Sequence, residues 1–305
     1  MSTTRWLDSK TKDLDSAIDL LIDHVEDDST GNILWVGWRL KKVFEENQSI
    51  RLNGRDIKYN LIKCRYEQIS SGETPIEDRT VNKTTSIIVY YNGVSINYII
   101  DQNSSAQKML RKLLSYTGKN EITRNVYNFT TDFFIWLIGK VYNSDNVIEA
   151  NNDDISSLRL ESIKGVKGDT EDLQTKVTAA GESVMNIIST LSFLLESKRL
   201  EQIKIEFSYA DHEKISLILK NGTVSIDFAP YQGCFENETE DLILAQIYLL
   251  VYLEILPILY QEYQSDIING IWGENAYKKF MKNVAEEITQ RIDNKIGILS
   301  ANSHN

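Results

Sequence analysis

The chain has 305 residues, with 33 lysines and arginines against 44 aspartates and glutamates, three histidines, two cysteines and a formal net charge of −11. Hydrophobic residues make up 42% and charged residues 25%, a balance that supports a sizeable core and excludes the composition of a disordered chain. The acidic excess argues against generic phosphate-backbone binding, and Cys64 and Cys234 match neither a disulfide framework nor a zinc pattern. Residues Arg5, Asp8, Lys10 and Asp13 break the apolar run that a secretory signal needs. The expectation is a cytoplasmic protein with two buried reduced thiols, no cofactor and no bound metal.

Leu14, Ile18, Leu21, Ile22 and Val25 recur at helical spacing, with Asp15, Asp19 and Asp23 on the other side. Residues 33–44 are apolar apart from a cluster at Arg39, Lys41 and Lys42, and are expected to form a second helix. Asn53-Gly54 predicts a hairpin within residues 50–69, and Asn92-Gly93 predicts another within 86–100, because this dipeptide supplies the two positive φ angles of a tight turn. Helical patterns follow at 104–116 and 126–142, the second rich in aromatics.

Residues 144–182 are rich in Asn, Asp, Ser, Gly and Lys, with one short strand expected at 158–163, and read as a linker or mobile excursion. A helix is expected at 183–196, an antiparallel meander at 203–228 turning at Asn221-Gly222, and two long helices at 239–266 and 274–296. The fold class that results is α+β, with two lobes, residues 1–143 and 183–305. Each lobe is an antiparallel meander or hairpin packed with helices, and the second ends in long helices. The likeness of 91–96 to 220–226 is too short to establish duplication, since Asn-Gly hairpins arise readily by convergence.

Charge is strongly segregated. Between Asn221 and Tyr277 there is no Lys, Arg or His, but nine acids: Asp227, Glu236, Glu238, Glu240, Asp241, Glu254, Glu262, Asp266 and Glu274. Aromatics including Tyr231, Phe235 and Tyr263 accompany them, a mixture suited to capturing a basic protein surface and burying apolar area against it. The bland alternative is a solvated acidic face whose Glu238, Glu240 and Asp241 oppose a helix macrodipole. Residues 35–65 show the opposite bias: Arg39, Lys41, Lys42, Arg51 and Arg55, beside Trp35 and Trp38, are candidates for holding nucleic acid or for meeting the acidic segment of a second copy.

Residues 242–260 nearly reach membrane-spanning length, but Glu254 and the lack of flanking bases favour a buried core helix. Pro257 is expected to disturb it at the carbonyl of Leu253. An enzymatic alternative places Glu206, Asp227 or Glu254 as metal holders, although Lys204-Ile205-Glu206 reverses the order of a nuclease strand motif. Glycines at 165, 168 and 181 bracket a stretch that resembles a phosphate loop only weakly. No Cys/His pair lies close in sequence, and His24 and His212 read as exposed side chains.

The favoured expectation is a non-enzymatic interaction protein with an acidic, aromatic surface for a basic protein partner, or a homo-oligomer built by acid-to-base contact. The Asn, Ile and Lys enrichment suits an AT-rich bacterial or phage genome, and a role in phage–host conflict, as defence component or inhibitor, follows only from that context.

Overall fold

The computed structural model describes residues 2–23, 28–30, 33–118, 120–149, 157–170, 176–180, 194–195 and 197–302. The fold is α+β with antiparallel sheets. The chain divides into two compact units, neither continuous in sequence. Unit 1 comprises Met1–Tyr127, Thr223–Ser225 and Asn237–Glu254; unit 2 comprises Asn128–Gly222, Ile226–Glu236 and Ile255–Asn305.

Unit 1 contains β1 (Ser2–Asp8), α1 (Leu14–Ile22), β2 (Asp28–Thr30), β3 (Ile33–Lys42), β4 (Gln48–Leu52), β5 (Arg55–Ser70), α2 (Ile76–Arg79), β6 (Thr80–Tyr91), β7 (Ile96–Ile100), α3 (Ala106–Leu113) and β8 (Ile122–Arg124). Its sheet runs β1-β7-β6-β5-β3-β2, with β4 on β5 and β8 on β1. Both Asn-Gly hairpins form as expected: Asn53 and Gly54 have φ of 49° and 68°, and Gly93 has φ of 89°. The amphipathic α1 starts at Asp13, whose carboxylate accepts from the Ser16 N–H at 2.9 Å. Leu14, Ile18 and Leu21 pack with Met109, Leu110 and Leu113 against Ile62, Tyr66, Ile87 and Tyr98 of the sheet, forming one core cluster.

Two departures from expectation occur here. Residues 33–42 are the strand β3, not a helix. The cause is a bulge between Val36 and Arg39, where Gly37 adopts φ of 66°. It puts Trp35 and Trp38, three residues apart, in one aromatic cluster with Tyr66, so a strand acquires the spacing of a helix. The sequence pattern also gives no hint of β1, whose buried residues include Thr3, Thr4 and Arg5. Their polar atoms are satisfied individually: Thr4 Oγ1 donates to the Gln102 carbonyl at 2.7 Å, and Arg5 donates to the Asn125 and Tyr252 carbonyls at 2.8 and 3.1 Å.

Unit 2 is built on α4 (Thr131–Tyr142), β9 (Val147–Glu149), β10 (Ser157–Thr170), β11 (Lys176–Ala180), β12 (Ser197–Tyr209), β13 (His212–Lys220) and the part of β14 (Thr223–Gln232) from residue 226 on. The strand order is β11-β10-β12-β13-β14, with β9 on β10, and α4 packs on β10 and β12. The meander follows the expected pattern, turning at Asn221 and Gly222 with φ of 40° and 75°. The stretch read as a linker instead holds three strands. Gly165 and Gly168 lie within β10, opposite Lys204 and Leu200, so they form no phosphate loop. The polar composition misled because β10 tolerates several register irregularities and alternates buried Leu158, Leu160 and Ile163 with Arg159, Glu161 and Ser162. Of the helix expected at 183–196 only residues 194–195 are described, and they are helical; Gly181 and His24 fall outside the described residues.

Three further helices complete the chain: α5 (Glu240–Leu250) in unit 1, and α6 (Leu256–Ile268) and α7 (Glu274–Asn302) in unit 2. Between α5 and α6, Val251–Ile255 form one π turn. Pro257 has no N–H to offer the carbonyl of Leu253, and that carbonyl accepts from the Asn53 side-chain amide at 2.6 Å. Glu254 takes the Asn53 backbone N–H, which makes it a hydrogen-bonded core carboxylate. Among the described residues, Glu240–Ile268 is the one helical run long and apolar enough to cross a membrane, and 61% of its apolar window is buried inside the protein.

Candidate functional site

The acidic segment is divided between the units, and many of its members have partners within their own unit. In unit 1, Asp241 lies 2.6 Å from Lys63, and Glu238 and Glu240 are exposed at the start of α5, where Thr239 caps the helix. In unit 2, Asp227 lies 2.7 Å from Lys204, whose hydrogen bond holds the carboxyl below the usual range. Glu236 accepts from the Gly233 N–H at 2.9 Å.

The densest constellation surrounds Lys140, on the last turn of α4. Its ammonium lies 3.1 Å from Asp145, 3.2 Å from Glu262 and 3.1 Å from Asp266, so each N–H has a carboxylate. Glu262 and Asp266 are one turn apart on α6, which aims both at the same point. Burial pulls the Lys140 ammonium down, and the three carboxylates, Asp266 first, more than offset it, leaving the group above its ordinary value. Trp136, one turn before Lys140 on α4, donates its indole N–H to Asp266 at 2.8 Å. Tyr263 donates to Asp132, which also accepts from the Trp272 indole at 3.1 Å. Burial, followed by Asp132, raises the Tyr263 phenol well above its usual range. Tyr263 and Asp266 are thus buried parts of the scaffold.

Beside this cage is a cavity of about 270 Å³, lined among others by Trp136, Lys140, Asp145, Ile271, Trp272 and Phe280. Sequence reasoning did not find it, because its walls come from α4, the α6–α7 corner and α7. At that corner Ile267 is 40%, Ile268 80% and Ile271 61% exposed. Asp145, which lines the cavity with Ile271, has its side chain 66% exposed, and Glu274, at the start of α7, has its side chain 80% exposed with Lys278 2.6 Å away.

A Cys/His contact does exist, between residues 22 positions apart. His212 is buried, not exposed, and Cys234 is exposed, not buried. Cys234 Sγ lies 3.7 Å from His212 Nε2, and His212 Nδ1 lies 2.8 Å from the Tyr231 hydroxyl, which accepts from the Phe235 N–H at 3.2 Å. Phe235 packs edge-on against the imidazole. A Cβ on Gly233 would come within 2.8 Å of His212 Nδ1, so only glycine lets the turn close. Burial pushes the thiol up and the imidazole down, so both are neutral near pH 7, a poor state for nucleophilic attack.

The basic segment separates by face. Trp35 is buried and Trp38 stacks on Tyr66 at 4.6 Å, while Arg39 and Lys41 are exposed. Lys42 is half-buried at the end of β3; Arg51 and Arg55 are exposed at the β4–β5 hairpin, with Arg51 3.8 Å from Asp56. The three acids considered for metal have different neighbours: Glu206 has Lys164 at 3.2 Å and Lys214 at 3.5 Å, Asp227 has Lys204, and Glu254 has Asn53. Comparison with known proteins finds no matching family model and no matching curated protein.

Proposed function

We propose that the protein acts by binding a basic protein partner, without catalysis, through the α6–α7 corner of unit 2. The observation that carries this reading is the exposure of Ile267, Ile268 and Ile271 at the corner, where Ile271 and Asp145 line the cavity and the exposed Glu274 opens α7. Exposed isoleucines supply apolar area, the carboxylates supply attraction and register for a cation-bearing surface, and Trp272 and Phe280 form a firm floor. The centre of the surface therefore shifts from the whole acidic segment to its C-terminal end: all four acids have a lysine of this chain beside them, but the side chains of Asp145 and Glu274 are 66% and 80% exposed, against 33% and 30% for Asp227 and Asp241.

The test is affinity capture from a native extract with identification of what is retained, comparing wild type with Ile268→Asp/Ile271→Asp and with Glu274→Lys. A basic partner held by wild type and lost by both folded variants is the expected result. Identical capture by all three proteins would sink the proposal.

A further inference from the structure

A second charged surface lies in unit 1, independent of the corner just described. Arg39 on β3 stands directly opposite Arg65 on β5, and Lys41 directly opposite Lys63. Residues paired in this way project on the same face, here the one opposite the aromatic cluster and the α1–α3 core. Like charges directly across an antiparallel pair repel. Lys63 is bridged by Asp241, whereas Arg39, Lys41 and Arg65 form no ion pair among the described residues.

The two rungs continue onto β6, where Thr84 stands opposite Arg65 and Ser86 opposite Lys63. Hydroxyl groups therefore adjoin the cations. Besides Asp241 on Lys63, the acids near this face are Glu67 on the next rung, with its side chain alongside Gly37, and Asp101, which accepts the Ser86 N–H at 2.9 Å. Neighbouring strands are about 4.8 Å apart and successive same-face residues about 7 Å apart, so the four cations occupy a small rectangular grid of which three corners, Arg39, Lys41 and Arg65, carry charge with no ion pair among the described residues. An extended phosphodiester strand presents successive charges on a comparable pitch, and hydroxyls next to bases suit phosphate oxygens.

We infer that this sheet face of unit 1 binds single-stranded nucleic acid through its phosphate backbone. The aromatics that could stack on bases, Trp35 and Trp38, lie on the other face, so binding is independent of sequence.

Fluorescence anisotropy of a labelled oligothymidine, titrated across salt concentration with the full chain, tests this. Wild type is expected to bind at low salt with a slope of log K against log salt of about −2 to −3, at ~0.7 per neutralised phosphate. Arg39→Gln/Arg65→Gln should weaken binding about tenfold and reduce the slope by about 1.4. Lys58→Gln/Lys83→Gln removes two exposed bases of the same unit outside the rungs and should leave binding unchanged. No binding by wild type, or equal losses in both double variants, overturns the inference. So does polyglutamate binding as tightly as the oligonucleotide, which would assign the face to an acidic protein.

Discussion

In unit 1, Arg39 faces Arg65 in the open and Lys41 faces Lys63, which Asp241 bridges, whereas in unit 2 Lys140 is nearly buried among Asp145, Glu262 and Asp266. The same elementary charges are unfavourably arranged where water screens them and tightly matched where it does not. That difference follows from dielectric: an unmatched charge at the surface loses little, and an unmatched charge in the interior loses several kcal/mol. Unmatched surface charge is therefore available for a partner, and the matched interior charge holds the scaffold. Asp101 and Asp227 repeat the contrast for carboxylates. Burial pushes the Asp101 carboxyl up to about 6 against the lowering pull of the Ser86 N–H, and Lys204 holds Asp227 down.

The comparison breaks most readily at Lys140. Lys140→Met leaves Asp266 and Glu262 without their cation and is expected to cost about 3–5 kcal/mol in urea unfolding. Adding Asp266→Asn should recover part of that loss, because the buried carboxylate is then neutral; no recovery would show that the cage matters by packing alone.

A smaller effect is expected at Asp101. Its folded pKa lies above the unfolded value of about 3.9, so its contribution is fully present below about pH 4 and lost as pH rises through 6. Asp101→Asn should remove that decline and raise stability at pH 7 by about 1–2 kcal/mol, allowing for partial exposure, with little change at pH 4. Paired pH series of melting curves check it, and parallel curves for the two proteins would contradict it.

Relieving the rungs should help slightly. Arg39→Gln/Arg65→Gln is expected to stabilise the folded chain by about 0.2–1 kcal/mol at low salt, fading as salt is added, because it removes a cross-strand repulsion. A salt-independent gain would point to packing instead.

The smallest effect belongs to Asp227→Asn. Its depressed pKa contributes stability above about pH 4 that is lost as pH falls, and at an exposed pair the loss at pH 7 should stay below about 1 kcal/mol. Thermal shift at pH 7 and pH 3 measures it, and a larger loss at pH 7 would mean the pair is shielded from solvent.

Much of the local structure is legible in the residues themselves. Asn53-Gly54, Asn92-Gly93 and Asn221-Gly222 turn where positive φ is needed, and α1, α3 and α4 form where apolar residues recur at helical spacing. The failures have particular causes. At β3 the Gly37 bulge gave a strand helical spacing, and at β1 buried Thr3, Thr4 and Arg5 concealed a strand under polar composition. Residues 144–182 resembled a linker because Gly165 and Gly168 are tolerated within an irregular β10. The candidate site was legible only as a bias. The acidic run 227–277 and the basic run 35–65 are evident from order along the chain, but which members face lysines, and which remain exposed, is not.

Sequence alone therefore determined the α+β class, the hairpin turns, the core helix with its disturbance at Pro257 and the segregation of charge, because each depends on short-range sterics, periodicity or composition. Tertiary structure decided that Lys140 would meet acids up to 126 positions away, that His212 would meet Cys234, and that Arg39 would stand opposite Arg65. Those pairings depend on strand register and helix packing, in which a shift of one residue moves a side chain to the opposite face.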